Sequence, residues 1–269
     1  MKLIESIRGI SILLAALFAL FALSACSTSK FEGDKPDAKL TPEYQDIQRR
    51  ASIRMQLAIE YYQQGQHKLA LEEIRQATSI SPDLAEAYGL RGLVLMDTND
   101  VERAEENFLH AMKLDPENSD FTHNYAWFLC QNNREKKAMP YFEKVLKDRF
   151  YATPIKAMIN AAVCSLRLKD TQAAEKYFMQ GFNLQPNNPS INVNLSKISF
   201  DKGNFEKAKF YIDRVLKEDI FAVDVLWLAI KIENKLNDQS AVTSLATQLR
   251  RRYPNSKEYA LFQKGIFNE

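Results

Sequence analysis

From about residue 44 onward, small, bulky and polar positions recur along the chain at a fixed step. Ala70, Ala104 and Ala138 stand 34 residues apart, Ala174 follows after 36, and Ala208 and Val242 resume the step of 34. Four residues after each comes Ile74, Phe108, Phe142, Phe178, Ile212 and Ala246. Residues four apart share one helix face, so each pair marks the buried side of a helix. Twelve residues after four of the small positions stands a proline: Pro82, Pro116, Pro186 and Pro254. Proline cannot continue a helix and punctuates the passage to the next unit. A second helix precedes each of these, with its own apolar spacing: Leu57-Ala58-Tyr61, Gly92-Leu95, Tyr125-Ala126-Leu129 and Ala161-Ala162. Gly65, Asn99, Asn133 and Gly203 fall between the two helices, where a left-handed residue is often needed. No strand-like alternation interrupts the pattern.

The unit is therefore a pair of antiparallel helices, A and B, with the small residue of B letting A approach closely. A 34-residue helix-turn-helix period is the signature of tetratricopeptide repeats. The expected fold is all-α: a superhelix of six units at 51–84, 85–118, 119–154, 155–188, 189–222 and 223–256. Residues 257–269 are expected to form a closing helix. The third unit is two residues longer, within Asp148–Pro154, and the sixth is irregular, with Ile230 and Val242 in place of small residues. No unit buries its apolar face alone, so stacking makes one continuous core. Pro140 lies inside helix B of the third unit and predicts a local kink, since the bond to Lys136 is lost.

The N-terminus has a different character. Lys2 and Arg8 precede an apolar run from Ile10 to Leu23, and Leu23-Ser24-Ala25-Cys26 closes it. Those 14 residues suit the core of a signal peptide and fall short of the ~20 needed to span a bilayer. Small residues directly before a cysteine form a bacterial lipobox. The expectation is that residues 1–25 are removed and that Cys26 carries lipid, its acyl chains giving stable membrane anchoring. Residues 26–43 are polar, with Pro36 and Pro42, and read as a tether.

Charge and candidate chemistry narrow the function classes. The net charge of +2 gives no case for nucleic acid, and Arg250-Arg251-Arg252 reads as a solvated helix end. His67, His110 and His123 fall in different units, without metal spacing. No phosphate loop, nucleophile elbow or dinucleotide fingerprint is present. The chain reads as a noncatalytic, monomeric scaffold without cofactor or metal. Its expected working surface is the groove lined by the A helices. In tetratricopeptide scaffolds, A-helix positions 2, 5, 9, 12 and 13 tend to face it. These positions offer Met55, Ile59, Tyr62, Leu93, Met96, His123 and Trp127, where Met and aromatic side chains suit adaptable peptide binding.

Three segments carry a family resemblance: Gln56-Leu57-Ala58-Ile59-Glu60-Tyr61-Tyr62, His123-Asn124-Tyr125-Ala126-Trp127-Phe128-Leu129-Cys130, and Arg252-Tyr253-Pro254-Asn255-Ser256-Lys257-Glu258-Tyr259. With a lipobox and six units, the chain resembles the PilW/PilF family of type IV pilus biogenesis and stability lipoproteins. The resemblance implies an outer-membrane pilotin that helps the pilus secretin assemble, or a factor that stabilises pili. Ser27, rather than Asp, after Cys26 favours the outer membrane by similarity to proteobacterial lipoproteins, with the chain facing the periplasm. A lipoprotein adaptor that recruits peptidoglycan enzymes is the alternative. Cys130 and Cys164 both fall in A helices of adjacent units, and the periplasm is oxidising. They read as a disulfide pair or as two buried thiols.

Overall fold

A computed structural model describes residues 41–267. The signal segment, Cys26 and the tether as far as residue 40 lie outside them. The described residues are all-helical, with thirteen helices. The chain divides into two compact units, Met1–Arg50 and Ala51–Glu269. In the first, Pro42 opens a helix that takes up the last two residues of the expected tether, and the Thr41 hydroxyl accepts from the Tyr44 amide at 3.2 Å. Proline suits that position because its missing N–H would have had no helical partner.

Six hairpins follow, each an A and a B helix. They are α1 (Pro42–Gln63) with α2 (His67–Ile80), α3 (Ala85–Asp97) with α4 (Val101–Leu114), and α5 (Ser119–Gln131) with α6 (Glu135–Lys147). The series continues with α7 (Pro154–Arg167) and α8 (Thr171–Leu184), α9 (Pro189–Asp201) and α10 (Phe205–Lys217), and α11 (Val223–Lys235) and α12 (Gln239–Arg252). α13 (Lys257–Gln263) closes the array. The core runs through the hairpins as the period requires. Ala70, Ala104, Ala138, Ala174 and Ala208 are fully buried, as are Ile74, Phe108, Phe142 and Phe178. The A helix supplies small partners at the same step. At Gly92 a Cβ atom would come within 2.7 Å of the Phe108 ring, so the glycine is what admits the phenylalanine.

Every A-to-B turn has the same construction. Each holds three residues, and the middle one is left-handed: Gly65, Asn99, Asn133, Lys169, Gly203 and Asn237. A left-handed residue lets the chain reverse at once while its amide bonds back to the helix. Lys169, at φ 62°, is the one member that is neither glycine nor asparagine. Lys169→Gly is expected to raise stability by about 0.5–1 kcal/mol, while Lys169→Ala gains nothing; thermal melting distinguishes the two.

The B-to-A joints differ among themselves, from four residues at 81–84 to six at 148–153. The six-residue joint carries the expected insertion. Phe150 stands there at the register of the recurrent proline and is 97% exposed, while Tyr151 turns inward. α6 passes through Pro140 without a break. Pro140 and Lys136 are both exposed, so the missing bond lies on the solvent side, where the Lys136 carbonyl is open to water. Ile230 and Val242 are buried in the sixth hairpin despite their size. The closing segment is helical only as far as Gln263. It then turns at Gly265 (φ 68°) and stacks Phe267 on Trp227, ring centres 5.9 Å apart.

Polar links join successive units on the B side. Glu105 accepts from Tyr125 and Arg134 at 2.9 Å each. Glu175 is paired with Lys202 and Lys207, and Lys209 with Glu233.

Candidate functional site

Ala58, Gly92, Ala126, Ala162, Ser196 and Ile230 turn each A helix toward its B partner. One residue further on is about 100° around the helix, and that step defines a second row. In the first four units the row is Ile59, Leu93, Trp127 and Val163. Ile59 is 41% exposed, and the other three are half-buried. One turn later stand Tyr62, Met96 and Leu166, also half-buried. Neighbouring A helices α3, α5 and α7 touch in sequence, so the row forms an apolar strip across them.

Polar groups edge the strip. The Tyr62 hydroxyl donates to Asp97 Oδ2 at 2.8 Å, and burial beside that carboxylate pushes the phenol up. Arg167 donates to the Cys130 carbonyl at 2.8 Å and to Gln131 Oε1 at 2.9 Å, with its guanidinium 6.0 Å from the Trp127 ring centre. A cleft of about 400 Å³ opens among Met96, Asp97, Asn99, Trp127 and Gln131. The strip thus offers apolar contact area with fixed donors and acceptors at its edge, the chemistry of a peptide groove. No group of three or more metal-ligating side chains exists among the described residues.

Of the seven groove residues expected, the structure brings five to this strip: Ile59, Tyr62, Leu93, Met96 and Trp127. Met55 and His123 do not line it. Met55 is 7% exposed and packs with Ala58, Ala70 and Ile74. His123 is 1% exposed and lies against Phe142 and Tyr151. Both occupy position 5 of their units, which faces the seam between units. In the second unit the same position is Gly89, where a Cβ atom would come within 2.8 Å of Phe121.

Asn160 Nδ2 lies 3.1 Å from His123 Nε2. An amide donor there pairs with a neutral ring that accepts at Nε2 and carries its proton on Nδ1. Burial, with the nearby charge of Lys156, pushes the imidazole down to about 4. The unfolded chain takes up the proton first, near pH 6.5. The stability due to the neutral ring is therefore complete above pH 6.5 and lost as pH falls toward 4. The loss should reach at most about 3 kcal/mol, and His123→Gln should flatten that part of the denaturation profile.

Cys130 and Cys164 are fully buried and joined as a disulfide between α5 and α7, their Cα atoms 5.8 Å apart. Their separation is 34 residues in a unit lengthened by two. The bond therefore joins position 12 of the third unit to position 10 of the fourth, two residues out of register.

Arg167, Val163 and Asn160 were missed in the sequence, as was the continuation of the row in the last two units, Lys197 and Lys231. The step of one residue beyond each small A-helix position would have found the row as far as Lys197, and the same register, held by Ile230, leads to Lys231.

Comparison with known families agrees with the geometry. A model described as "Tetratricopeptide repeat" matches residues 85–118, 155–188 and 189–219, a second so described matches 107–139, and "TPR repeat" matches 60–99. The chain belongs to the tetratricopeptide repeat proteins. Within that class it is a relative of the PilF and PilW proteins of type IV pilus systems. It is 29% identical over 251 residues to the "Type IV pilus assembly protein PilF" of Pseudomonas aeruginosa, covering 93% of this chain and 97% of that one. The solved structure of PilW, described as a widely conserved type IV pilus biogenesis factor, superposes with a TM-score of 0.72 at 28% identity, covering 79% of this chain and 98% of PilW. That of Pseudomonas aeruginosa PilF gives 0.76 at 25% identity, covering 82% and 99%.

Proposed function

We propose that this protein is a noncatalytic scaffold for type IV pilus biogenesis that binds a pilus-machine protein along its A-helix groove. The observation that carries this reading is the end-to-end correspondence with PilF, together with the apolar strip from Ile59 to Val163. The finer role is that of a pilotin. Lipid on Cys26 holds the chain at the periplasmic face of the outer membrane, where it helps the pilus secretin assemble.

The test is a deletion strain complemented with wild type, Ile59→Asp, Leu93→Asp or Cys26→Ser. Secretin multimers on gels, surface pili and palmitate labelling are the readouts. Wild type restores multimers and pili. The two groove variants fail while remaining folded by circular dichroism, since a charge on the strip opposes apolar binding. Cys26→Ser loses palmitate and membrane fractionation. Intact multimers and pili in the deletion strain, with altered cell-wall morphology, would instead support recruitment of peptidoglycan enzymes.

A further inference from the structure

The row that is Ile59, Leu93, Trp127 and Val163 in units one to four becomes Lys197 and Lys231 in units five and six. The helix register is unchanged, so the groove switches from apolar to cationic along its length. Three nearby lysines are paired: Lys202 and Lys207 share Glu175, and Lys209 holds Glu233. Lys197 and Lys231 form no ion pair among the described residues. Lys197 is exposed beside a recess of about 460 Å³ lined by Leu166, Asn194 and Asp201. The Lys231 ammonium sits 5.4 Å from the Phe200 ring centre and 5.9 Å from that of Trp227. Burial pushes this amine down, and the charge of Lys197 adds to the effect while Asp201 opposes it. With Lys202, which also lines the recess, held by Glu175, the Asp201 carboxylate is left with two ammonium groups, one of them partly desolvated between aromatic walls. An incoming anion would restore the balance and strengthen the aromatic contact's charged partner.

We propose that the groove takes an extended partner segment with two blocks: apolar side chains on Ile59 to Val163, and carboxylates on Lys197 and Lys231. This rests on the groove reading above and names the chemistry of its ligand. Six A helices spaced roughly 9 Å apart span about 45 Å, which an extended strand of about 14 residues covers.

The probe is a fluorescein-labelled 14-residue peptide with leucine at alternate positions in one block and three glutamates in the other. It is made in both block orders, the tighter of which is used, and each has a counterpart with glutamine for glutamate. Anisotropy is measured with the full chain in detergent, at low and high salt. The glutamate peptide should bind about tenfold or more tighter than the glutamine peptide at low salt, with the preference shrinking at high salt. Lys197→Gln/Lys231→Gln should abolish the preference and leave the glutamine peptide unaffected. Leu93→Asp should weaken both peptides. Equal binding of the two peptides by the wild-type chain, still weakened by Leu93→Asp, overturns the acidic block and leaves the groove standing. Failure of both peptides to bind overturns the groove and this proposal with it.

Discussion

Phe108→Ala is expected to lower the free energy of unfolding by about 3–5 kcal/mol. The side chain is fully buried in the second hairpin, and its ring centre lies 5.4 Å from that of Phe128 in the third. It is surrounded by Ala104, Tyr125, Ala126 and Leu129, which cannot close the space left behind. Stability in a repeat array is the sum of each unit and its interfaces with neighbours. Phe108 contributes to both, so its loss should also split one unfolding transition into two. The near contact at Gly92 supplies an internal control. Gly92→Ala forces a methyl group toward the same ring and is destabilising on its own, whereas in a Phe108→Leu background it should cost less. Urea denaturation followed by circular dichroism reads all of these. A loss under about 0.5 kcal/mol for Phe108→Ala would contradict the packing described.

Removing the Cys130–Cys164 bond comes next in size. Closing a 34-residue loop restricts the unfolded chain by about 3–4 kcal/mol in the chain-entropy model. Cys130→Ser/Cys164→Ser, or the wild type in reductant, should lose that amount. Each single serine variant should lose as much, because either one breaks the bond. Intact mass rising by about 2 Da on reduction confirms that the bond was present. Wild-type stability unchanged by reductant, with the bond present beforehand, would show that the stack alone fixes the junction.

The hairpin architecture was legible because one period fixes several things at once. Ala104, Phe108 and Pro116 each mark a different part of the hairpin, and they agree. The turn rule was only half legible. Gly65 and Asn99 announce a left-handed residue by type, whereas Lys169 does so only by register. The groove was legible at the position that stays at least partly open in every unit, from Ile59 to Lys231, and misleading at the one closed by the seam. Met55 and His123 occupy a register that is open in a generic scaffold. Here it is closed by the seam that Gly89 and Phe121 also share. The Asn160 partner of His123 lies 37 residues away, beyond the reach of local pattern. The out-of-register disulfide was legible as a pair of residues; its offset became visible only once the insertion was placed between α6 and α7.

The uniform three-residue turns and the variable joints divide the chain into two kinds of sequence. Length changes inside a hairpin would displace the left-handed residue from its place, so selection should remove them. Length changes at a joint leave each hairpin whole and alter only the angle at which the next one is laid down. Descendants of such a chain can therefore retune the pitch of the spiral, and with it the spacing between successive ligand side chains, by adding or deleting residues at the B-to-A joints. The segment 148–153 is one such adjustment, fastened in place by a covalent bond across the neighbouring A helices.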